Sequence, residues 1–398
     1  MTKPVIFMTD FMPYNNTPPI AQQTLLDYTA WLLAIAQCSK NHVVATAEAD
    51  KIFKIAQTDM DRYGVLPKYI SKRELNILEN VFSQQDQTIS TETFPEIYEN
   101  IMDNYLGIDM NGRLSIYENL VLKVMEHWYE NVTILPDDII HATCTGYISP
   151  SPIQRLLSNK KWSNVTVTHS YQMGCYGAIP PLRMAVGFLS SNAILPKAKK
   201  CVDILHTEYS SLHFQAINNA PDQIVAMTLF GDGFIKYSIY LEDQDHVAKK
   251  CLKVLAAQDI IIPASVNEMT LKPGPYSFEM WLSKSVPMKI REEIQPFVEG
   301  LCRQIGLDFA EIKPDLIFAL HPGGPKIIEH IKEQLGLSED QIRFSKKILF
   351  EHGNIVSATV PYIWKEIIDD PTVLPGTKVV SIAFGPGLTV AGFILEKA

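Results

Sequence analysis

The stretch that decides the fold runs from Val165-Thr166-Val167-Thr168-His169-Ser170-Tyr171 through Gln172-Met173-Gly174-Cys175-Tyr176-Gly177-Ala178 to Leu182–Leu189. Its first seven residues alternate as a half-buried strand does. Two glycines then bracket Cys175, and the apolar run 182–189 reads as a helix. Pro180 and Pro181 fit only the first turn of that helix, where a missing N–H costs little. A strand, a tight turn bearing a reactive side chain and a helix form the unit in which α/β sheets place ligand sites.

Working outward, the same theme returns. Residues 21–37 and 118–130 carry helical patterns, the latter with Leu120, Val121, Val124, Met125 and Trp128 on one stripe. Strands are expected at 137–144, 202–206, 224–229 and 235–240. The Pro-bearing region 258–275 reads as loop. Further on, helix 290–305 precedes strand 315–320. A Gly-Gly turn at Gly323-Gly324 leads to a helix from Lys326, and Gly353-Asn354 starts another. Strands 378–384 and 388–395, joined by Gly385-Pro386-Gly387, end the chain. Strands alternating with helices imply an α/β fold whose sheets are covered on both faces.

The 398 residues carry a net charge of −9, so the global basic footprint of a nucleic-acid binder is missing. With 46% hydrophobic and 20% charged residues the chain suits a globular protein with a sizeable core. No segment approaches the ~18 apolar residues of a membrane helix, and the run from Val5 to Met8 is too short for a signal peptide. A cytoplasmic protein is expected. The cysteines Cys38, Cys144, Cys175, Cys201, Cys251 and Cys302 form no CxxC pair, which argues against zinc and against a disulfide framework. No metal site is expected.

Three turns bear chemistry. Cys175 follows Gly174 at the expected start of a helix, where unpaired N–H groups and the helix dipole would stabilise a thiolate. A buried thiol in a tight turn is the bland alternative. His321-Pro322-Gly323-Gly324-Pro325 holds an imidazole at a rigid strand end, where it would lower the thiol pKa and donate to an oxyanion. A core histidine with satisfied nitrogens is the competing reading. Asn354 in Gly353-Asn354 reads by itself as a helix cap, and beside His321 its amide would donate to an enolate oxygen.

Together these residues resemble the type III polyketide synthases, the chalcone-synthase-like branch of the thiolase superfamily, in their bacterial type. Tyr171–Ala178 resembles the family's nucleophile motif. His321–Pro325 and Gly353-Asn354 resemble its His and Asn motifs, Phe230-Gly231-Asp232-Gly233 a gating motif, and Phe384-Gly385-Pro386-Gly387-Leu388 its C-terminal loop. The resemblance implies a duplicated αβαβα five-layer thiolase-like fold, with one half over residues 1–235 carrying Cys175 and the other over 236–398 carrying His321 and Asn354.

It also implies a homodimeric acyltransferase that performs decarboxylative Claisen condensation. Cys175 would accept an acyl group from coenzyme A, and His321 and Asn354 would hold malonyl-CoA. The product would be a short polyketide such as a pyrone or resorcinol, made with no cofactor. An acyl carrier protein is the alternative donor. The pocket would involve Thr145, Phe230, Met280, Val356, Phe384, Gly385, Pro386 and Gly387. Met280 stands where plant enzymes carry a second gating Phe, and Val356 where they carry Ser. Arg62 lies near a coenzyme A phosphate position, and Ser149–Pro150 is expected as a cis peptide in a loop crossing to the dimer partner. A ketosynthase-III-like enzyme doing one condensation or acyl transfer, and a non-catalytic thiolase-fold subunit, are the alternatives.

Overall fold

The computed structural model describes residues 5–83, 85–86, 88–191, 198–242 and 250–398; Met1–Pro4, at the N-terminal end read above, lie outside these. In chain order the strands are β1 (Ile6–Tyr14), β2 (Ile20–Ala21), β3 (Lys72–Arg73), β4 (Phe82–Ser83), β5 (Thr88–Ile89), β6 (Asp138–Thr143), β7 (Thr166–Tyr171), β8 (Cys201–Glu208), β9 (Gly233–Leu241), β10 (Leu252–Ile261), β11 (Met269–Pro273), β12 (Phe278–Leu282), β13 (Ile317–Leu320), β14 (Lys378–Gly385) and β15 (Thr389–Lys397). The helices are α1 (Gln22–Lys40), α2 (Thr46–Tyr63), α3 (Met110–Trp128), α4 (Pro152–Asn159), α5 (Ile179–Ser190), α6 (Pro221–Leu229), α7 (Val286–Gln304), α8 (Phe309–Ile312), α9 (Pro325–Leu335), α10 (Arg343–His352) and α11 (Thr359–Asp369).

Nine strands pair in the order β13-β14-β15-β10-β1-β9-β8-β6-β7. The junction between β1 and β10 is only Phe7↔Lys253 and Met8↔Leu252, so two smaller sheets meet there. Their pairing senses repeat. In one, β6 runs parallel to β8, β8 antiparallel to β9, and β9 antiparallel to β1. In the other, β13 runs parallel to β14, β14 antiparallel to β15, and β15 antiparallel to β10. The chain is a structural duplication with one extra edge strand, β7, parallel to β6. The boundary expected at 235/236 falls inside β9.

Burial gives the layers. The first core joins α1, α3 and α4 to one face of the first sheet through residues such as Ile139 and Leu205. The second packs α5 (Leu182, Ala185, Leu189) and α11 (Ile363, Trp364, Ile367) between both sheets, touching Ile204 of one and Phe393 of the other. The third seats α7 and α9 on the far face of the second sheet, against Val380 and Ile394. Helix, sheet, helix, sheet and helix follow in order, the αβαβα arrangement. Strand alternation drives it: within β15, Phe393 and Leu395 face the middle layer while Ile394 faces the outer one. Each fully buried large apolar side chain stabilises the stack by roughly 1.5–3 kcal/mol.

Three local expectations need correction. Residues 224–229 are not a strand but most of α6, which starts with Pro221 and Asp222 in its first turn; a short apolar run does not by itself separate buried strand from buried helix. The region 258–275 is not all loop, because β10 runs to Ile261 and β11 pairs with β12 in register Leu271↔Met280. Finally, Cys175 is not at an α-helix N-terminus: it sits in the 3₁₀ turn Gly174–Tyr176, and α5 begins at Ile179.

Candidate active site

The turn after β7 is locked by two close approaches. Gly174 has φ +67°, and a Cβ there would lie 2.6 Å from Pro386 Cδ. A Cβ on Gly385 would lie 2.0 Å from Tyr176 Cδ1. Only glycine serves at both, so the β14–β15 loop is pressed onto the turn that carries Cys175. Beneath it, the N–H of Gly174 donates to Cys144 Sγ at 2.9 Å, and that thiol donates back to the Gly174 carbonyl at 3.5 Å.

Asn354 is 0% exposed. Its backbone bridges the end of α6: Asn354 N–H donates to Leu229 O at 2.9 Å, and Gly231 N–H donates to Asn354 O at 3.0 Å. The side-chain amide is oriented by its oxygen, which accepts from Val356 N–H at 2.9 Å and from Thr359 Oγ1 at 3.5 Å. That leaves Nδ2 facing the Cys175 sulfur at 3.7 Å. Val356 has φ +51°, a conformation that costs a non-glycine residue about 1–3 kcal/mol and is retained where the surroundings demand it.

His321 follows β13, its N–H donating to Ile382 O at 2.8 Å. The ring is 1% exposed, and among the described residues neither nitrogen has a partner. Buried polar groups are almost always paired, so two open nitrogens on one imidazole mark a ring free to engage a ligand. Burial lowers its pKa to about 3, so the ring is neutral. The Cys175 thiol is pushed up to about 12, by burial first, with the Asn354 hydrogen bond lowering it and Glu208 raising it. The expected thiolate is therefore corrected. In the free protein desolvation outweighs the hydrogen bond from Asn354.

Cys175 opens into a cavity of about 120 Å³ whose lining includes Thr145, Phe230, Met280, Val356 and Pro386. The other expected pocket residues Phe384, Gly385 and Gly387 do not line it; Phe384 is buried in the third core. Arg62 is exposed at the end of α2, its guanidinium 5.1 Å from the Tyr63 ring centre, and lines neither this cavity nor its neighbour. The Ser149–Pro150 bond is cis. The β11–β12 ribbon forms a wall: Leu271 and Met280 line the cavity, while Lys272, Glu279 and Trp281 line an adjoining polar chamber of about 420 Å³ that shares Gln223, Thr270 and Met280 with it.

Sequence reading missed two residues. Glu208, at the end of β8, is fully buried and accepts from Cys144 N–H at 3.0 Å, Thr145 Oγ1 at 2.9 Å and Ser357 Oγ. Burial raises its pKa to about 7 against these donors. Its strand also carries Asp203, His206 and Thr207, so no sequence signal sets Glu208 apart. His213 lines the cavity, stacks on Phe278 at 4.6 Å, donates from Nε2 to Thr145 O at 2.7 Å and accepts from Phe278 N–H at 3.2 Å. No motif marks it. Among the described residues no group of three or more His, Cys, Asp or Glu side chains could hold a metal ion, and no helix is long and apolar enough to cross a membrane.

Residues 253–398 match the family of chalcone and stilbene synthases, C-terminal domain. Type III polyketide synthase C of Arabidopsis thaliana is 28% identical over 232 residues, 57% of this chain and 58% of that one. A putative chalcone synthase of Bacillus subtilis (strain 168) is 26% identical over 265 residues, covering 66% of this chain and 69% of the relative. This chain thus spans less than two thirds of the plant protein. The crystal structure of PKS-I from the brown alga Ectocarpus siliculosus superposes with a TM-score of 0.79, at 18% identity over the whole of both chains, which establishes a shared fold.

Proposed function

We infer, for a chain whose residues 253–398 match the C-terminal domain of chalcone and stilbene synthases, that it condenses an acyl group held on Cys175 with malonyl-CoA to make a short polyketide. One observation carries the reading. The half-buried sulfur of Cys175 faces the amide of Asn354 at 3.7 Å, and the buried imidazole of His321 has no hydrogen-bond partner on either nitrogen among the described residues.

The chemistry follows from these groups. Cys175 attacks the acyl-CoA carbonyl, the C–S bond to coenzyme A breaks, and the thiol proton passes to the neutral imidazole and on to the departing coenzyme A thiolate. Malonyl-CoA then binds with its thioester oxygen at the His321 and Asn354 N–H donors. Loss of carbon dioxide leaves an enolate whose negative oxygen those donors hold. Its carbon attacks the Cys175 thioester, a C–C bond forms, and the sulfur leaves. Neutral donors in a dry site stabilise developing charge without paying to reorganise water. The apolar lining keeps competing water from the thioester.

We place the enzyme in the cytoplasm as a homodimer, with acyl-CoA as the loading thioester. Mass spectrometry of products from malonyl-CoA mixed with a panel of acyl-CoAs tests this. Chain-extended products with loss of carbon dioxide are expected. Acyl transfer alone, with no carbon–carbon bond formed, would overturn it, and activity only with acyl carrier protein thioesters would change the donor.

A further inference from the structure

Arg73, on β3, is 0% exposed. A buried arginine needs partners, and two of the three acceptors of Arg73 lie at one place, the end of α6. Nη1 donates to Met227 O at 2.9 Å and to Phe230 O at 2.5 Å, while Nε donates to Gln22 Oε1 at 2.8 Å. Gln22 in turn donates from Nε2 to Val65 O and Thr228 O, both at 2.8 Å. The carbonyls that a helix leaves unpaired at its C-terminus are here held by a cation, which also complements the helix dipole.

The same helix end carries both elements of the site opposite the sulfur. Phe230 lines the cavity. Asn354 N–H donates to Leu229 O, the carbonyl between the two residues that Arg73 brackets. The stem of Arg73 also underlies the Asn354 turn: a Cβ on Gly353 would lie 2.8 Å from Arg73 Cδ, and Gly353 has φ +71°. Burial pulls the guanidinium down to about 9, with Asp232 pulling it up, so it is a cation at neutral pH. No motif reading singled it out.

We propose that Arg73 is a positioning residue for the condensation step, fixing the α6 terminus so that the Asn354 amide is held against Cys175. The proposal rests on the role assigned to Asn354 above. Arg73 touches neither the sulfur nor the cavity, so its loss acts through Asn354. Displacing a catalytic group by about 1 Å can cost ~10²-fold in rate.

The test uses the full chain with Arg73→Lys, which keeps the charge but loses the fork that reaches two carbonyls and Gln22 at once. Two steps are read separately: acylation of Cys175 by a medium-chain acyl-CoA, from intact-protein mass, and carbon dioxide release from labelled malonyl-CoA. Arg73→Lys should cut decarboxylation about 10- to 100-fold and leave acylation within about threefold. In an Asn354→Ala background it should cause no further loss. Equal loss of both steps, or a further loss in that background, would show a merely structural role and overturn the proposal. If Asn354→Ala alone decarboxylates normally, the reading of the site fails and takes this proposal with it. Should Arg73→Lys give no cooperative melt, Gln22→Leu, which leaves the guanidinium but frees its Nε, is expected to show the same split with a smaller fall, and an unsplit loss there is equally decisive against it.

Discussion

The amide nitrogen of Asn354 stands 3.7 Å from the sulfur of Cys175, from the far side of a β-bridge between Asn354 and Phe230. The two residues are supplied by opposite halves of a duplicated fold. Neither half holds a complete site, because the nucleophile turn follows the first sheet and the donors follow elements of the second. In the proposed reaction one side chain would serve two steps, tuning the sulfur and then holding the enolate oxygen of malonyl-CoA.

Loading and decarboxylation should therefore separate. Cys175→Ala forms no acyl-enzyme but retains malonyl-CoA decarboxylation, since His321 and Asn354 are untouched. Asn354→Ala still becomes acylated, with decarboxylation and condensation down ~10²–10³-fold, the usual effect of losing one oxyanion donor. His321→Ala damages both. Intact-protein mass spectra and labelled carbon dioxide release measure the two halves; acylation lost and decarboxylation spared in Asn354→Ala would contradict the assigned roles.

The free thiol should titrate high. With burial pushing Cys175 up to about 12, alkylation of the Cys175 peptide by iodoacetamide is slow at neutral pH and keeps rising through about pH 9. Asn354→Ala removes the interaction that lowers the thiol pKa and slows alkylation further at any fixed pH. A rate that levels off below about pH 8 would show that a thiolate is already formed, and that the site contains a positive charge this arrangement lacks.

Glu208 should make stability fall with rising pH. Its folded-state pKa, about 7, lies above the ordinary 4.5, so the folded form holds the proton more tightly. The stabilisation is complete below the ordinary value and is lost as pH rises through about 7. Each pH unit is worth ~1.4 kcal/mol, so the span is at most ~3.5 kcal/mol. Asp232, raised to about 6, and Glu74, raised to about 8, act with the same sign. Melting temperature measured from about pH 5 to 8 should fall less steeply in Glu208→Gln than in the wild type, whatever the offset between them. Parallel curves would remove Glu208 from the account.

The starter pocket should favour an aliphatic chain. The cavity at Cys175 is small, about 120 Å³, and leads past Met280 to the adjoining chamber; Met280 is a flexible wall rather than a rigid ring, which suits a slender chain more than a planar ring. A coumaroyl-type thioester should show kcat/KM about tenfold or more below a medium-chain acyl-CoA, and Met280→Phe should lower the latter. Equal values for the two substrates would refute this preference.

Gly174→Ala should disable the enzyme. The substitution meets Pro386 at 2.6 Å in a backbone with φ +67°, and the resulting shift moves the next residue, Cys175. A loss of roughly 1–3 kcal/mol in stability is expected, with activity falling by more than the change in folded fraction. Chemical denaturation alongside initial rates separates the two; wild-type rates would mean the turn tolerates the shift.

Much of this molecule was legible in its residues. The alternation in 165–171 and the apolar run 378–384 read as strands, the latter buried on both faces, and glycines at 174, 353 and 385 mark close approaches that no side chain permits. The turns at Gly174 and Gly353, with the Gly323-Gly324 turn after strand 315–320, picked out Cys175, Asn354 and His321. The nature of 224–229 was not legible: a short apolar run is compatible with either regular structure, and burial between α1, α2 and the cavity decided for helix. Nor was the protonation of Cys175, because a sequence shows the donors near a thiol but not the water removed from it. Glu208, His213 and Arg73 belong to no motif. They matter because chain segments far apart in sequence converge on them, and only the packing of two sheets on a shared helical layer brings those segments within hydrogen-bonding distance.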